Sequence, residues 1–190
     1  THISSVILGE TYVYKIKKPL NLGFLDFSTL QKRHFYCEEE LRLNKRLSSA
    51  LYVDVLPIYG TVDKPRFERS GPVLEYLLRM RPFPQQAQLD RLLGKGTLSQ
   101  QQLSEFAVYI AEFHLSAKQA SAQDDYGEAE TVLRPAQQNF LQIAQYCSDS
   151  GALSRLGLLE RWSEQAVGEY HALFQQRKAS GYVRECHGDL

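Results

Sequence analysis

The sequence is poor in several features that would point to a particular class of protein. It has three cysteines in 190 residues, and Cys37, Cys147 and Cys186 are widely spaced and form no C-x-x-C pair. An odd number of distant cysteines predicts reduced thiols rather than a disulfide framework, and the same spacing argues against zinc. We therefore expect a protein of the cytoplasm.

Neither charge nor hydrophobicity is in excess. The 22 basic residues balance 22 acidic residues, so no overall field favours nucleic acid or an anionic membrane as a partner. No apolar run approaches the ~20 residues that a membrane span requires. The N-terminal segment THISSVILGE lacks the basic region and the cleavage site of a signal peptide. We expect no contact with nucleic acid or membrane.

The first third of the chain has the pattern of strands around one helix. HISSVILGE and TYVYKIKK are two β-rich segments that meet at Gly9, which predicts a hairpin. One face of the second segment carries Val13, Lys15 and Lys17, and the other face is aromatic and apolar. Two further apolar segments, VLPIYGTVD and GPVLEYLLRM, predict two more strands on either side of the turn DKPRFERSG.

Between these strands, FSTLQKRHFYCEEELRLNKRLSS predicts a helix with Ser28 or Thr29 as its N-cap. Its apolar residues fall roughly at helical spacing, which predicts that they form the buried face. They are Leu30, Phe35, Leu41, Leu43 and Leu47.

The composition changes at RPFPQQ, where two prolines end the strand pattern and predict a lobe boundary after residue 83. Three helical segments follow. They are LSQQQLSEFAVYIAEFHLSAK, with Ser99 as its cap, AQQNFLQIAQYCSDSG and LGLLERWSEQAVGEYHALFQQRKASG. The final segment, YVRECHGDL, begins as an extended piece.

The order of the candidate functional residues is more specific than any one of them. A lysine on the second strand, a glutamate in the next helix, two more strands, a linker, a helical region and a His-x-Asp loop follow one another as in a protein-kinase-like fold. The chain resembles the aminoglycoside phosphotransferase and choline kinase branch of that fold, in which HGD replaces HRD. Residues 1–47 closely resemble the start of a bacterial group of uncharacterised phosphotransferase-like proteins, some of which carry a P-loop domain downstream.

The resemblance implies an α+β, bilobal protein-kinase-like fold. Residues 1–83 would form a small lobe with an antiparallel sheet, one helix and the hinge. Residues 84–190 would form a mostly helical large lobe, truncated after the aspartate of the catalytic loop. The implied activity is ATP-dependent phosphoryl transfer to the hydroxyl group of an unidentified small molecule.

The resemblance also implies roles for residues of the small lobe. YVYK matches the strand motif V-A-I-K, so Lys15 would contact the α- and β-phosphates of ATP and Val13 would face the adenine ring. Lys17 shares that face and is the alternative. A lysine in this role needs a carboxylate to hold it, and Glu40 in CEEELRL resembles the helix glutamate of phosphotransferases, with Glu38 as the alternative.

Two further segments match the family. EYLLRMRPF resembles the last small-lobe strand and the hinge, where backbone groups of Met80, Arg81 and Phe83 would hydrogen-bond adenine. In HGDL, Asp189 would orient the acceptor hydroxyl or accept its proton, and His187 would brace the loop.

Two departures from the family pattern bear on activity. The chain has no G-x-G-x-x-G loop over the phosphates, and the family's Mg²⁺-binding Asn, about five residues after the catalytic Asp, would lie beyond Leu190. The 190 residues by themselves are therefore expected to be inactive. The alternative is a non-catalytic, kinase-like nucleotide sensor or scaffold that regulates a fused P-loop domain.

Overall fold

The computed structural model describes residues 2–187, which form an α+β protein with one five-stranded antiparallel sheet and six α-helices. The strands are β1 (Ser4–Leu8), β2 (Val13–Lys17), β3 (Tyr52–Thr61), β4 (Lys64–Arg66) and β5 (Val73–Met80). The helices are α1 (Leu30–Ser48), α2 (Leu89–Gly94), α3 (Gln100–Ser116), α4 (Ala129–Tyr146), α5 (Ser150–Glu169) and α6 (His171–Ala179), and Gln85–Ala87 form a short 3-10 helix. None of these helices is both long and apolar enough to cross a membrane.

The sheet has the strand order β1-β2-β5-β3-β4, and the predicted hairpin of β1 and β2 is confirmed. Its register places Val6 opposite Lys15 and Leu8 opposite Val13. On the other side of β2, Met80 of β5 lies opposite Val13. Because directly opposite residues of antiparallel strands point to the same side, these five residues share one face of the sheet.

The segment DKPRFERSG contains a strand that the sequence did not predict. Lys64–Arg66 form β4, which pairs with the end of β3 as an exposed edge strand. Gly60 makes this hairpin possible, because its φ is +96° and an added Cβ would lie 2.5 Å from the carbonyl oxygen of Lys64. Proline and charged residues are typical of turns, but edge strands tolerate both, so composition did not distinguish the two.

Helix α1 begins as predicted, and of the five residues expected on its buried face Leu30, Leu41, Leu43 and Leu47 are half-buried and Phe35 is exposed. The Thr29 hydroxyl accepts a hydrogen bond from the backbone N–H of Lys32 at 3.2 Å, which confirms the N-cap. The buried residues are Arg33 and Cys37, whereas Phe35 is 59% exposed. Arg33 can be buried because its charge is paired: Nε donates to Glu75 at 2.8 Å, and Nη1 donates to the backbone carbonyls of Phe27 at 3.0 Å and Ser28 at 3.3 Å.

The described residues form two compact units that divide between Ile110 and Ala111, inside α3. The sequence predicted a boundary after residue 83, which lies within the first unit. The first unit includes residues 100–110 of α3, where the Tyr109 hydroxyl donates a hydrogen bond to the Leu47 carbonyl at 2.7 Å. The predicted cap of α3 is confirmed, since the Ser99 hydroxyl accepts from the N–H of Gln102 at 3.2 Å.

In the second unit, α4, α5 and α6 pack against one another. The last predicted helix is in fact two helices, because the helical conformation is interrupted at Tyr170 between α5 and α6. The extended segment that follows is held beside residues 117–120. The N–H of Ala120 donates to Val183 and the N–H of Glu185 donates to Lys118, both at 2.9 Å.

The three cysteines provide a direct test of α1 packing. Cys37 is fully buried, Cys147 is intermediate and Cys186 is exposed. Burial raises the pKa of the Cys37 thiol to about 11, so the reactive thiolate is scarce at neutral pH. Brief treatment with a maleimide, followed by peptide mass mapping, is expected to modify Cys186 rapidly and Cys37 only after denaturation. Equal rates at the two positions would contradict this orientation of α1.

Candidate functional site

Two lysines and one glutamate form an ion-pair cluster between the sheet and α1. Lys15 and Lys17 project from the same face of β2, two residues apart, as alternation along a strand requires. Nζ of Lys15 lies 2.7 Å from Oε1 of Glu40, and Nζ of Lys17 lies 2.7 Å from Oε2 of the same side chain. The structure thus brings Lys15 and Glu40 together and adds Lys17 as a simultaneous partner. We call these residues the Lys15–Lys17–Glu40 cluster.

The members of the cluster differ in burial. The side chain of Lys17 is 6% exposed, that of Glu40 15% and that of Lys15 25%. Lys17 also lies over the ring of the buried Phe27, with Nζ 4.8 Å from the ring centroid. Burial by itself would raise the pKa of Glu40, but the hydrogen bonds from the two lysines outweigh it and hold that pKa below its ordinary value of 4.5. Glu40 is therefore ionised at neutral pH.

The cluster carries one positive charge in excess. Among the described residues, Glu40 is the one carboxylate that pairs with Lys15 or Lys17. Two neighbouring acidic groups do not supply the missing negative charge. Burial raises the pKa of Cys37 to about 11, and burial together with the charge of Glu40 raises the pKa of Tyr52, so both groups are neutral. An anion placed beside Lys15 would balance the charge.

The other two glutamates of CEEEL point elsewhere. Glu38, the alternative to Glu40, is 53% exposed and lies 3.5 Å from His34, one turn earlier on α1. Glu39 pairs with Arg42 at 2.8 Å on the helix surface. Glu40 faces the sheet because it lies seven residues after the buried Arg33, at two helical turns.

A cavity of about 360 Å³ opens where β1 and β5 end and β2 and β3 begin. All four residues that the family resemblance assigns to the base of a nucleotide lie in its wall. They are Val13, Met80, Arg81 and Phe83. Sequence reasoning missed the remaining apolar and aromatic wall, which includes Val6, Leu8, Leu51 and Tyr52. We call this space the strand-end cavity.

The strand-end cavity and the cluster lie on the same face of the sheet. Val13 lines the cavity and precedes Lys15 by two residues of β2, while Val6 lines the cavity and is paired with Lys15. The spacing of residues i and i+2 on a strand is about 7 Å. A ligand whose flat apolar part and anionic part are about 7 Å apart could therefore contact the strand-end cavity and Lys15 at the same time.

The segment after β5 limits how a ligand in the cavity could hydrogen-bond to the backbone. The N–H of Arg81 donates to the Leu51 carbonyl at 2.8 Å, Pro82 has no N–H, and Met80 lies in the ladder between β2 and β3. Within the segment expected to act as a hinge, the donor would then be the N–H of Phe83.

The HGDL motif is described only in part. Asp189, the candidate catalytic base, lies outside the described residues. His187 is partly buried and follows a segment anchored by Arg184, whose Nη1 donates to the carbonyls of Leu115 at 2.6 Å and Ala117 at 3.1 Å. A cavity of about 420 Å³ in the second unit is lined by residues of this segment and by 118–127, including Lys118, Asp124, Tyr126 and Glu185.

Within residues 2–187, no group of three or more His, Cys, Asp or Glu side chains is arranged to hold a metal ion.

Three proteins of known sequence are similar to the whole chain. They are an uncharacterized protein of Mycobacterium bovis and uncharacterized proteins of two strains of Mycobacterium tuberculosis, each 25% identical over 190 residues. The alignment covers 100% of this chain and 36% of each relative, so the chain spans about a third of their length. No protein-family model and no solved structure matches the chain.

Proposed function

We propose that the chain is the ATP-binding part of a phosphotransferase with a bilobal, protein-kinase-like fold, acting in the cytoplasm on a hydroxyl group of a small molecule. One observation carries the proposal: an apolar cavity and a cluster with excess positive charge lie side by side on one face of the sheet. ATP combines a flat aromatic base with a chain of anionic phosphates and fits both parts of this surface.

Each part of ATP would contact a different part of this surface. The adenine ring would occupy the strand-end cavity against Val13, Tyr52 and Met80 and accept a hydrogen bond from the N–H of Phe83. Lys15 is the most accessible member of the cluster and would contact the α- and β-phosphates. Phosphoryl transfer depends mainly on positioning and on charge neutralisation, and Lys15 held beside Glu40 serves both.

The acceptor would be bound by residues outside this surface. In the transfer, the bond between the β–γ bridging oxygen and the γ-phosphorus breaks while the acceptor oxygen bonds to that phosphorus. Asp189 is proposed to take the hydroxyl proton. Magnesium would enter with ATP and neutralise phosphate charge, and the proposal assigns no described residue to it.

Binding of magnesium-ATP, measured by isothermal titration calorimetry, tests the proposal. Replacing Val13 with tryptophan puts a bulky ring in the wall of the strand-end cavity, and we expect affinity to fall about tenfold or more, in line with the cost of overpacking a filled site. Ile7→Trp is the matched control, because Ile7 is 52% exposed and belongs to the opposite face of β1. Its affinity should stay within about twofold of the unchanged protein.

Two results would overturn the assignment of the strand-end cavity. One is the absence of any magnesium-ATP binding by the unchanged protein. The other is an equal effect of Val13→Trp and Ile7→Trp, which would place the nucleotide elsewhere. Competition with adenosine, which lacks the phosphates, measures binding of the base to the strand-end cavity without the contribution of the Lys15–Lys17–Glu40 cluster.

A further inference from the structure

We propose that Lys17 is a positioning residue that offsets the charge of Glu40 from the buried side, so that Lys15 keeps its ion pair and still presents excess positive charge to a phosphate. The inference rests on the proposed function and deepens it, because the charge of Glu40 would otherwise cancel much of the attraction between Lys15 and a phosphate. Lys17 thereby contributes to ligand binding without touching the ligand.

The carboxylate of Glu40 is divided between the two lysines. Nζ of Lys15 lies 2.7 Å from Oε1, and Nζ of Lys17 lies 2.7 Å from Oε2. Each ammonium group has three N–H donors, so one contact with Oε1 leaves two donors of Lys15 for a ligand. Because Lys17 occupies Oε2, Lys15 is not drawn across both oxygens. Lys15 can therefore hold Glu40 and a phosphate at the same time.

Burial separates Lys17 from a ligand. Its side chain is 6% exposed, against 25% for Lys15, and its Nζ lies 4.8 Å from the ring centroid of the buried Phe27. Lys15 instead pairs across the hairpin with Val6, a wall residue of the strand-end cavity. A ligand in that cavity would therefore contact Lys15, and Lys17 would act on it through Glu40 and through its charge.

Lys17 supplies the excess charge of the cluster. Lys15 and Glu40 by themselves would form a neutral pair, and Lys17 adds one positive charge to it. The two lysines are two residues apart on β2, which is about 7 Å along a strand. This distance is within the Debye length of about 8 Å at physiological ionic strength, and partly buried charges are screened less than exposed ones. The charge of Lys17 therefore strengthens the attraction for an anion beside Lys15.

Isothermal titration calorimetry with three ligands tests this role. Magnesium-ATP has a base and phosphates, adenosine has the base alone, and magnesium tripolyphosphate has phosphates alone. In Lys17→Met we expect affinity for both phosphate-bearing ligands to fall about tenfold or more through loss of one nearby charge, and affinity for adenosine to stay within about twofold. A merely structural role would disturb the sheet face that carries the strand-end cavity. An equal loss for adenosine and magnesium-ATP would therefore overturn the proposal.

Three further variants separate the charge of Lys17 from its contribution to folding. Lys17→Arg keeps the charge and should hold affinity for magnesium-ATP within about threefold of the unchanged protein. Lys17→Gln is polar but neutral and should lose affinity as Lys17→Met does, so the test does not depend on the folding of one variant. Lys64→Met removes a charge from the exposed edge strand β4 and should leave all three affinities unchanged. Full affinity in Lys17→Gln would contradict a role for the charge.

The ligands and variants distinguish failure of this inference from failure of the proposed function. Unchanged affinity for magnesium-ATP in Lys17→Met, together with a loss in Lys15→Met, would remove the role of Lys17 and leave the nucleotide assignment standing. Binding of magnesium tripolyphosphate that weakens in Lys17→Met, without binding of magnesium-ATP or adenosine, would do the reverse. Binding of none of the three ligands to the unchanged protein would remove both.

Discussion

Replacing Lys15 with methionine is expected to weaken binding of magnesium-ATP by about thirtyfold, which corresponds to about 2 kcal/mol for a lost hydrogen bond to a charged group. Methionine keeps an apolar stem of similar length, so the change removes the ammonium and little else. Lys15 is the most accessible member of the cluster and pairs across the hairpin with Val6, a wall residue of the strand-end cavity. Isothermal titration calorimetry measures the effect directly.

The same variant should lower the free energy of unfolding only slightly. Lys17 remains paired with Glu40 at 2.7 Å, and the lost contact involves a side chain that is partly exposed, for which about 1 kcal/mol or less is usual. Lys64→Met is the control for loss of a positive charge from the same sheet. Unchanged affinity in Lys15→Met would remove Lys15 from phosphate binding.

Replacing Glu40 with glutamine is expected to lower the free energy of unfolding by about 3–5 kcal/mol, the usual effect of removing one partner from a buried ion pair. Two ammonium groups would then face each other across a neutral amide, and Lys17 would have no negative partner although its side chain is 6% exposed. Urea denaturation followed by circular dichroism measures the loss.

The effect of Glu40 on stability should depend on pH in a defined direction. The pKa of Glu40 in the folded protein lies below the ordinary 4.5, so the folded state favours the carboxylate. The free energy of unfolding therefore increases with pH over the range in which Glu40 is ionised in the folded state and still protonated in the unfolded state. The contribution is fully present above pH 4.5 and is lost as the pH falls through the lower, folded-state pKa. The difference between the unchanged protein and Glu40→Gln should therefore narrow below pH 4.5.

Glu38→Gln is the matched control for this experiment. Glu38 lies two residues earlier on α1 and is 53% exposed, so its replacement should change stability by no more than about 0.5 kcal/mol. Similar losses in Glu38→Gln and Glu40→Gln would show that the lysines do not depend on Glu40. Partial recovery in the double variant of Glu40→Gln with Lys17→Met would show that the uncompensated charge causes the loss.

Much of the first unit could be predicted because its signals are local. Alternation along TYVYKIKK predicted both the hairpin with β1 and the face shared by Lys15 and Lys17. The helix cap at Thr29 followed from the preference of its side chain for backbone N–H groups at a helix start. The residues that the family resemblance assigns to the base include Val13, which begins β2, and Met80, which ends β5, and they lie in one cavity because these two residues pair across neighbouring strands.

Features that depend on contacts between distant elements could not be predicted in the same way. The spacing of apolar residues placed Phe35 on the buried face of α1, but Phe35 is exposed and Arg33 is buried. Arg33 can be buried because its guanidinium pairs with Glu75 of β5. Among the three adjacent glutamates the sequence favoured Glu40 and left Glu38 as the alternative, and the approach of α1 to β2 determined that Glu40 meets the lysines.

By itself the sequence determined that the fold is α+β, that β1, β2, α1, β3 and β5 follow one another in this order, and that two lysines share one side of β2. These follow from periods of two and 3.6 residues, which depend on backbone geometry alone. The tertiary structure alone decided that Lys17 is a second partner of Glu40, that Leu51 and Tyr52 complete the strand-end cavity, and that the first unit extends to α3. Those features require registers and packing distances between segments far apart in the chain, and no local pattern encodes such distances.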